Sequence, residues 1–488
     1  VRPAEARRRT IKVSEVKAAP AGHLSLAGVL AFASASIPIA ALQLAISVHL
    51  PRYFATSLGI ELAVVGLAFS MVRLIDIPID AGLGVAMDRT RTRFGRYRLW
   101  MFLGAPVLML GFFMLLSASD AVGLAYLVTW LLVMYLGYSC VYLAHLAWAG
   151  RLAPSYEQRS RIFGAVTGLG VLGAMGVLLI PVVASEYFHA SEADGVRAMI
   201  WFIIGAVPAT AAVVLFSTPE KIARDHGVQF RIRDYLALAT RPNMLRLLAA
   251  DFFVTLGPGW MAALYLYYFR DSRGFSIAEA NLLLLLYIAA GFAGAPFTAW
   301  MANRISKHRA LMVNTTVYSL GLVILPFLPA GNFLVFAPLM FLVGAFAAGF
   351  TVMIRALAGD IADELRLESG REWMGLVYAM TNATSKLAQA GAILFTFNFA
   401  LVAVGYNAKD GAANTPDAIQ GLELAYILGP IVFVMVAGAC FFGYRLTADR
   451  HAEIRNQLAE RDALAEGGSI VEALAGDPEF PAARTQPS

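Results

Sequence analysis

The chain has 488 residues, of which 59% are hydrophobic and 15% charged, and its mean hydropathy is +0.66. That is more apolar side chain than an aqueous core can bury, and it comes in long runs, which excludes a soluble enzyme, a nucleic-acid-binding module and a disordered chain. The net charge of +5 is therefore read by which loops carry it, and Cys140 and Cys440, both inside apolar runs, predict neither a disulfide nor a metal cluster.

A helix needs about 20 apolar residues to cross the hydrocarbon layer. In chain order the runs predict spans at 24–54, 58–86, 100–118, 122–150, 162–185, 198–217, 244–270, 276–303, 310–328, 332–358, 373–400 and 420–445. Their continuous apolar character excludes a β-barrel, whose strands alternate. The fold class expected is an all-α membrane protein of twelve transmembrane helices in two six-helix bundles. The segments divide as a tail at 1–23, a bundle at 24–217, a linker at 218–243, a second bundle at 244–445 and a tail at 446–488.

The connections alternate in charge. Arg89, Arg91, Arg93, Arg96 and Arg98 follow the second span, Arg151, Arg159 and Arg161 the fourth, and Arg304, Lys307 and Arg309 the eighth. The intervening connections are poor in basic residues, although Arg52 stands just before one of them. The positive-inside rule then predicts a cytoplasmic basic side, with both termini there, in a bacterial-type inner membrane. The N-terminal Arg7, Arg8, Arg9, Lys12 and Lys17 agree, and the first apolar run is a full span rather than a signal-peptide core.

The halves echo one another. Gly84 … Asp88-Arg89 … Arg96-Tyr97-Arg98 after the second span matches Gly294 … Asn303-Arg304 … Lys307-His308-Arg309 after the eighth. Six spans per half with a weak repeat is the pattern of a two-bundle transporter whose site lies at midplane. Gly164, Gly168, Gly170, Gly173 and Gly176 in the fifth span read best as small residues for close helix packing.

Ionic residues inside the spans carry the most information, since each costs about 2.5–3.5 kcal/mol at a helix centre on insertion scales. Arg73, Asp76 and Asp80 on the second span stand at i, i+3 and i+7 and so share one face. Pro78 frees the carbonyl of Leu74, a further oxygen. Two carboxylates one turn apart can chelate a hard cation or share a proton. The bland alternative is that Arg73 only neutralises one aspartate, but two acids and one base leave a charge unmatched. Lys386, mid-way along the eleventh span, is too deep to snorkel and supplies the balancing charge.

Weaker candidates to contact a solute are Tyr142, His145 and Trp148 on the fourth span, Tyr267 on the seventh, and Asn382 and Gln389 on the eleventh. Each has a packing or helix-bonding alternative. Asp251 is a further weak candidate whose simpler reading is pairing near the interface with Arg246, and His49 is expected to be interfacial. No H-E-x-x-H or G-x-S-x-G motif is present, so an intramembrane enzyme is not expected.

The stretch Arg73-Leu-Ile-Asp76-Ile-Pro-Ile-Asp80 … Gly84 … Asp88-Arg89 … Gly95-Arg96-Tyr97-Arg98 resembles the signature of the glycoside–pentoside–hexuronide:cation symporters of the major facilitator superfamily. Gly359-Asp360-Ile-Ala-Asp363-Glu364 … Gly370-Arg371-Glu372, followed by Lys386, resembles that family's second signature. The resemblance implies that Asp76 and Asp80 take a coupling cation (H+ or Na+), that Lys386 lies beside them, and that Asp88, Arg89 and Arg96 form a gating loop. The first-span acid of galactoside-binding members has no counterpart, since 24–54 contains no Asp or Glu. The family's acid on span four falls at Tyr142, and its arginine in span five falls near Thr167. The expected function is cation-coupled symport of a small organic solute such as a sugar or glycoside by a monomer in the lipid bilayer, without a cofactor. The alternative is a transporter or flippase of a lysolipid or other amphiphile.

Overall fold

The computed structural model describes residues 24–119, 122–152, 156–220, 232–371, 373–409 and 412–475. The expected basic N-terminal segment, residues 221–231 of the linker and the last residues of the C-terminal tail lie outside them. Among the described residues, twelve helices are long and apolar enough to cross a membrane. Spans 1 to 6 are Leu26–Thr56, Leu62–Met87, Tyr97–Leu116, Leu124–Leu152, Arg161–Phe188 and Glu192–Ser217. Spans 7 to 12 are Pro242–Ser272, Ile277–Ile305, Lys307–Phe327, Phe333–Ser369, Met374–Ala403 and Pro416–Ala439.

The main departure from the sequence-derived boundaries is span 10. It continues past residue 358 to Ser369 and stops at Gly370, whose φ of +73° provides the left-handed turn that ends a helix. Hydropathy marks where the bilayer ends, whereas the backbone hydrogen bonds of a helix can continue into water. The polar extension serves as a beam on the side of the arginine-rich connections, the basic face. A linker helix (Ile232–Ala239) lies against it through Asp234 and Arg371 at 3.8 Å, and just beyond that helix Arg241 meets Glu368 at 3.1 Å. A tail helix (Ala448–Ala475) docks on the same beam: His451 lies 3.0 Å from Asp363, Arg366 lies 3.0 Å from Asp462, and Ile454 and Leu458 are buried beneath.

Small residues set the closest helix approaches. A Cβ at Gly137 of span 4 would lie 2.3 Å from the Leu108 nitrogen of span 3, and one at Gly173 of span 5 would lie 2.3 Å from the Ile37 carbonyl oxygen of span 1. The packing role expected of the span 5 glycines thus falls on Gly173, with Gly170 in ordinary contact with Ser36 and Ala40 of span 1. Gly164, Gly168 and Gly176 face open space. The first span of each half changes pitch near its far end, with wide π-helical turns at Ala45–His49 and Tyr267–Ser272. Such turns re-aim side chains and recur at functional sites.

The two halves meet along spans 2 and 11 and along spans 5 and 8. Gly66 packs on Phe397 and Asn398, the Asn398 amide donates to the Ala63 carbonyl (2.8 Å), and the Ser70 hydroxyl donates to the Ala390 carbonyl (3.0 Å). Towards the basic face the pair separates: Gly82 and Val85 on span 2 and Gly375, Ala379 and Asn382 on span 11 are exposed. The halves are therefore joined on the face opposite the basic loops and parted towards the basic face.

Candidate transport site

The last contact before the halves part is ionic. The Lys386 ammonium of span 11 donates to Asp76 Oδ2 at 2.6 Å and also to Asp80 Oδ2, joining the two halves. Asp76 is only 1% exposed, and its other oxygen accepts from the Ser139 hydroxyl of span 4 at 3.0 Å. Arg73 lies 3.8 Å from Asp76 and places its guanidinium 4.5 Å above the Tyr135 ring. The i, i+3, i+7 spacing on one unbroken helix is what aligns these three charges. Among the described residues no hydrogen bond reaches the buried Asp80 Oδ1, although the Ser139 hydroxyl lies close enough to act on the same carboxylate. Two carboxylates, two cations and a hydroxyl balance in charge, as a low-dielectric site requires.

An aromatic ladder leads away from Arg73. Tyr135 meets Tyr138 edge-on at 6.4 Å, and Tyr138 stacks on Tyr142 at 5.5 Å. Tyr142 is half-buried. On span 11, Asn382, Lys386 and Gln389 share one stripe, with Asn382 exposed and Gln389 half-buried. The other sequence candidates lie elsewhere. His145 is buried, stacks on Phe32 at 4.4 Å and bonds the Phe32 carbonyl at 2.9 Å, while Trp148 packs edge-on against the same ring. Tyr267 is buried under Arg52.

Two expected placements are corrected. Asp251 does not pair with Arg246, because five residues along a helix turn through about 140° and put the two on different faces. Asp251 instead accepts from the Ser385 hydroxyl of span 11 at 2.9 Å. His49 is buried rather than interfacial, beside Arg52 and facing Asn281 of span 8.

The connection after span 2 is held by a residue not singled out from the sequence. Glu220 accepts from the backbone N–H groups of Arg96 (2.7 Å), Tyr97 (2.9 Å) and Arg98 (3.2 Å), capping span 3 where the helix dipole favours an anion. Gly95 has φ +105°, and a Cβ there would sit 2.2 Å from Glu220 Oε2, so the motif's glycine makes room for that carboxylate. Arg89 is exposed at the end of the span 2 helix, and the side chain of Asp88 lies outside what is described.

On the opposite face a second ionic cluster joins the halves. Arg52, 3% exposed, binds Glu192 at 2.8 Å within its own half and Asp271 of span 7 at 3.1 Å, with the Tyr267 ring 4.6 Å away. Arg270 reaches back to Glu192, and the Tyr406 hydroxyl donates to Asp271 at 2.6 Å. Burial, reinforced by the Asp271 carboxylate, holds the Tyr406 phenol protonated well above the usual tyrosine range. The sequence signal for this cluster was slight: charges at span ends look like ordinary interfacial residues until tertiary contacts pair them.

Two bundles of membrane-crossing helices joined by ion clusters, one of them deep within the spans, form the architecture of the major facilitator fold. Solved structures agree on the fold. The chain is similar to the nucleoside transporter NupG (TM-score 0.64, 12% identity, 86% of this chain and 100% of that one). It is also similar to a bacterial homologue of the human lysosomal transporter Spinster, solved inward-facing and unoccupied (TM-score 0.60, 12% identity, 88% and 97%). The family described as MFS/sugar transport protein matches residues 31–448, and the chain belongs to the glycoside–pentoside–hexuronide:cation symporter family. Similar relatives include the isoprimeverose transporter of Lactiplantibacillus pentosus, 22% identical over 86% of this chain and 89% of that protein. The glucuronide carrier protein homolog of Escherichia coli is 24% identical over 85% and 91%. The lactose permease of Lactobacillus delbrueckii is 23% identical over 83% and 68%. These are sugar carriers, which does not favour the amphiphile alternative.

Proposed function

We propose that the protein couples uptake of a sugar or glycoside to a monovalent cation, H+ or Na+, by alternating access. It works as a monomer in a bacterial-type inner membrane, with the basic face and both termini in the cytoplasm. Asp76 and Asp80 hold the cation, and Lys386 occupies its place when the site is empty. Arg73 positions Asp76 through charge and Tyr135 through its ring. Tyr142, Asn382 and Gln389 are the solute contacts retained. His145, Trp148 and Tyr267 are set aside because all three are buried in helix packing. Asp88, Arg89 and Arg96 belong to the loop that moves as the cytoplasmic side opens and closes, with Glu220 anchoring its far end.

The observation that carries this reading is the Lys386 bridge to Asp76 and Asp80 between spans of opposite halves. An ammonium in that position competes directly with a cation for the same oxygens. Its release removes a contact that holds the halves in one arrangement, so cation binding differs between states, which is the condition for driving a conformational equilibrium. In proteoliposomes offered lactose, isoprimeverose and a methyl glucuronide under imposed Na+ or H+ gradients, the wild type should accumulate at least one sugar. Asp80→Asn should abolish accumulation while leaving exchange of the same sugar intact. Undiminished accumulation by Asp80→Asn rejects the mechanism.

A further inference from the structure

Asp251 is the buried acid that the cation site leaves unused. It stands nine residues into span 7, roughly 14 Å along the helix from Pro242, and is 6% exposed. Among the described residues, no cation comes within salt-bridge distance of it. It accepts a hydrogen bond from the Ser385 hydroxyl, and the field of Arg355 on span 10 reaches it without an ion pair. Ser385 is the residue immediately before Lys386. Span 11 thus presents consecutive side chains to two carboxylate groups: Ser385 to Asp251 in its own half, and Lys386 to Asp76 and Asp80 in the other.

This placement matters once the cation arrives. With Asp76 and Asp80 occupied, the Lys386 ammonium loses both its counter-ions inside the membrane, where an uncompensated charge is expensive. Among the described residues, Asp76, Asp80, Asp251, Asp360 and Glu423 stand seven or more residues inside a span, and Asp360 and Glu423 already have cations in Lys307 and Arg273. Lysine is a compact charge on a flexible four-carbon stem and can exchange partners by rotating that stem. Lys386 is 21% exposed on the side where the halves part, which leaves it room to do so.

We infer that Asp251 is the second counter-ion of Lys386: a positioning residue that receives the ammonium when the cation displaces it from Asp76 and Asp80. The transfer keeps the Lys386 ammonium paired in both states and moves it from a contact between halves to a contact within one half. Cation binding is thereby tied to separation of spans 2 and 11. This rests on the cation-site reading above and extends it.

The test measures the unfolding midpoint of the purified full chain in nanodiscs, without solute, against NaCl at fixed pH and against pH in sodium-free buffer. A ligand that binds the folded state raises the midpoint, and the titration gives its half-saturation value. Asp251→Asn and Asp251→Ser should each raise the half-saturation value for the stabilising cation at least tenfold. Asp251→Glu, which keeps the charge, should stay within threefold of wild type. Ser385→Ala removes the hydrogen bond seen now but leaves the carboxylate, and should also stay within threefold. If both neutral variants bind the cation as wild type does, or if Ser385→Ala reproduces their shift, Asp251 is only a packing partner and the inference falls. Having two neutral variants covers failure of either to fold. A wild type that responds to neither Na+ nor H+ rejects the cation-site reading and this inference together.

Discussion

Two ionic clusters tie the halves of this protein together, and they differ in the cation at their centre. Inside the spans the bridging charge is a lysine, Lys386, held by Asp76 and Asp80. At the face opposite the basic loops it is an arginine, Arg52, held by Glu192 and Asp271 and stacked on Tyr267. Each cluster sets two carboxylates against two cations. Arginine is permanently charged, offers several donors in a rigid fork and stacks on rings, so one guanidinium engages partners in both halves at once. An ammonium is a point charge that a metal ion or a proton can replace one for one. The contrast teaches that charge balance alone does not define a coupling site: on the proposed reading the exchangeable cluster is the one built on lysine, and the arginine cluster serves as a latch.

The largest effect expected from breaking this comparison is at Lys386. Lys386→Ala leaves Asp76, the most buried acid of the pair, without its closest cation, which should cost about 3–5 kcal/mol and abolish accumulation. Lys386→Arg should recover much of the unfolding midpoint but not the cation response, because a bidentate guanidinium resists displacement. Recovery of both would erase the distinction between the two clusters. The next effect is at the latch. Arg52→Ala should open the opposite face, so that a cysteine at Thr56, which lines the same roughly 340 Å³ cavity as Arg52 and Asp271, reacts faster with a membrane-impermeant maleimide. A gain of roughly tenfold corresponds to about 1.4 kcal/mol of shifted equilibrium, and cation affinity should change little. If Arg52→Ala instead shifts cation affinity as strongly as Lys386→Ala, the two clusters act as one. The smallest effect is at Ser139. Ser139→Ala removes one hydrogen bond to Asp76 and should weaken cation binding by about 0.5–1.5 kcal/mol, read as a several-fold rise in half-saturation with the latch reactivity unchanged.

Much of the site was legible before the fold was known, and for one reason. A charge in a twenty-residue apolar run has few ways to survive, so Arg73, Asp76, Asp80 and Lys386 announced themselves, and their signs required that they meet. Neutral and peripheral residues carried no such penalty. Ser139 is a hydroxyl among apolar neighbours and looks no different from Ser70, which instead donates to a backbone carbonyl of span 11. Tyr142, His145 and Trp148 fall at near-equal spacing on one helix, yet Tyr142 extends a tyrosine ladder from Arg73 while the other two pack on Phe32.

The sequence by itself determined the span count, the alternation of basic loops, the division into halves and the identity of the intramembrane charges. Those follow from the free energy of placing each residue in hydrocarbon or in water, a property of the residue and its immediate neighbours. Only the tertiary structure decided that Arg52 is the hub of a latch, that Asp251 turns to Ser385 instead of Arg246, and which face of the molecule is parted. Those depend on which helices come to lie side by side, and short-range packing between distant segments leaves no period or composition to read along the chain.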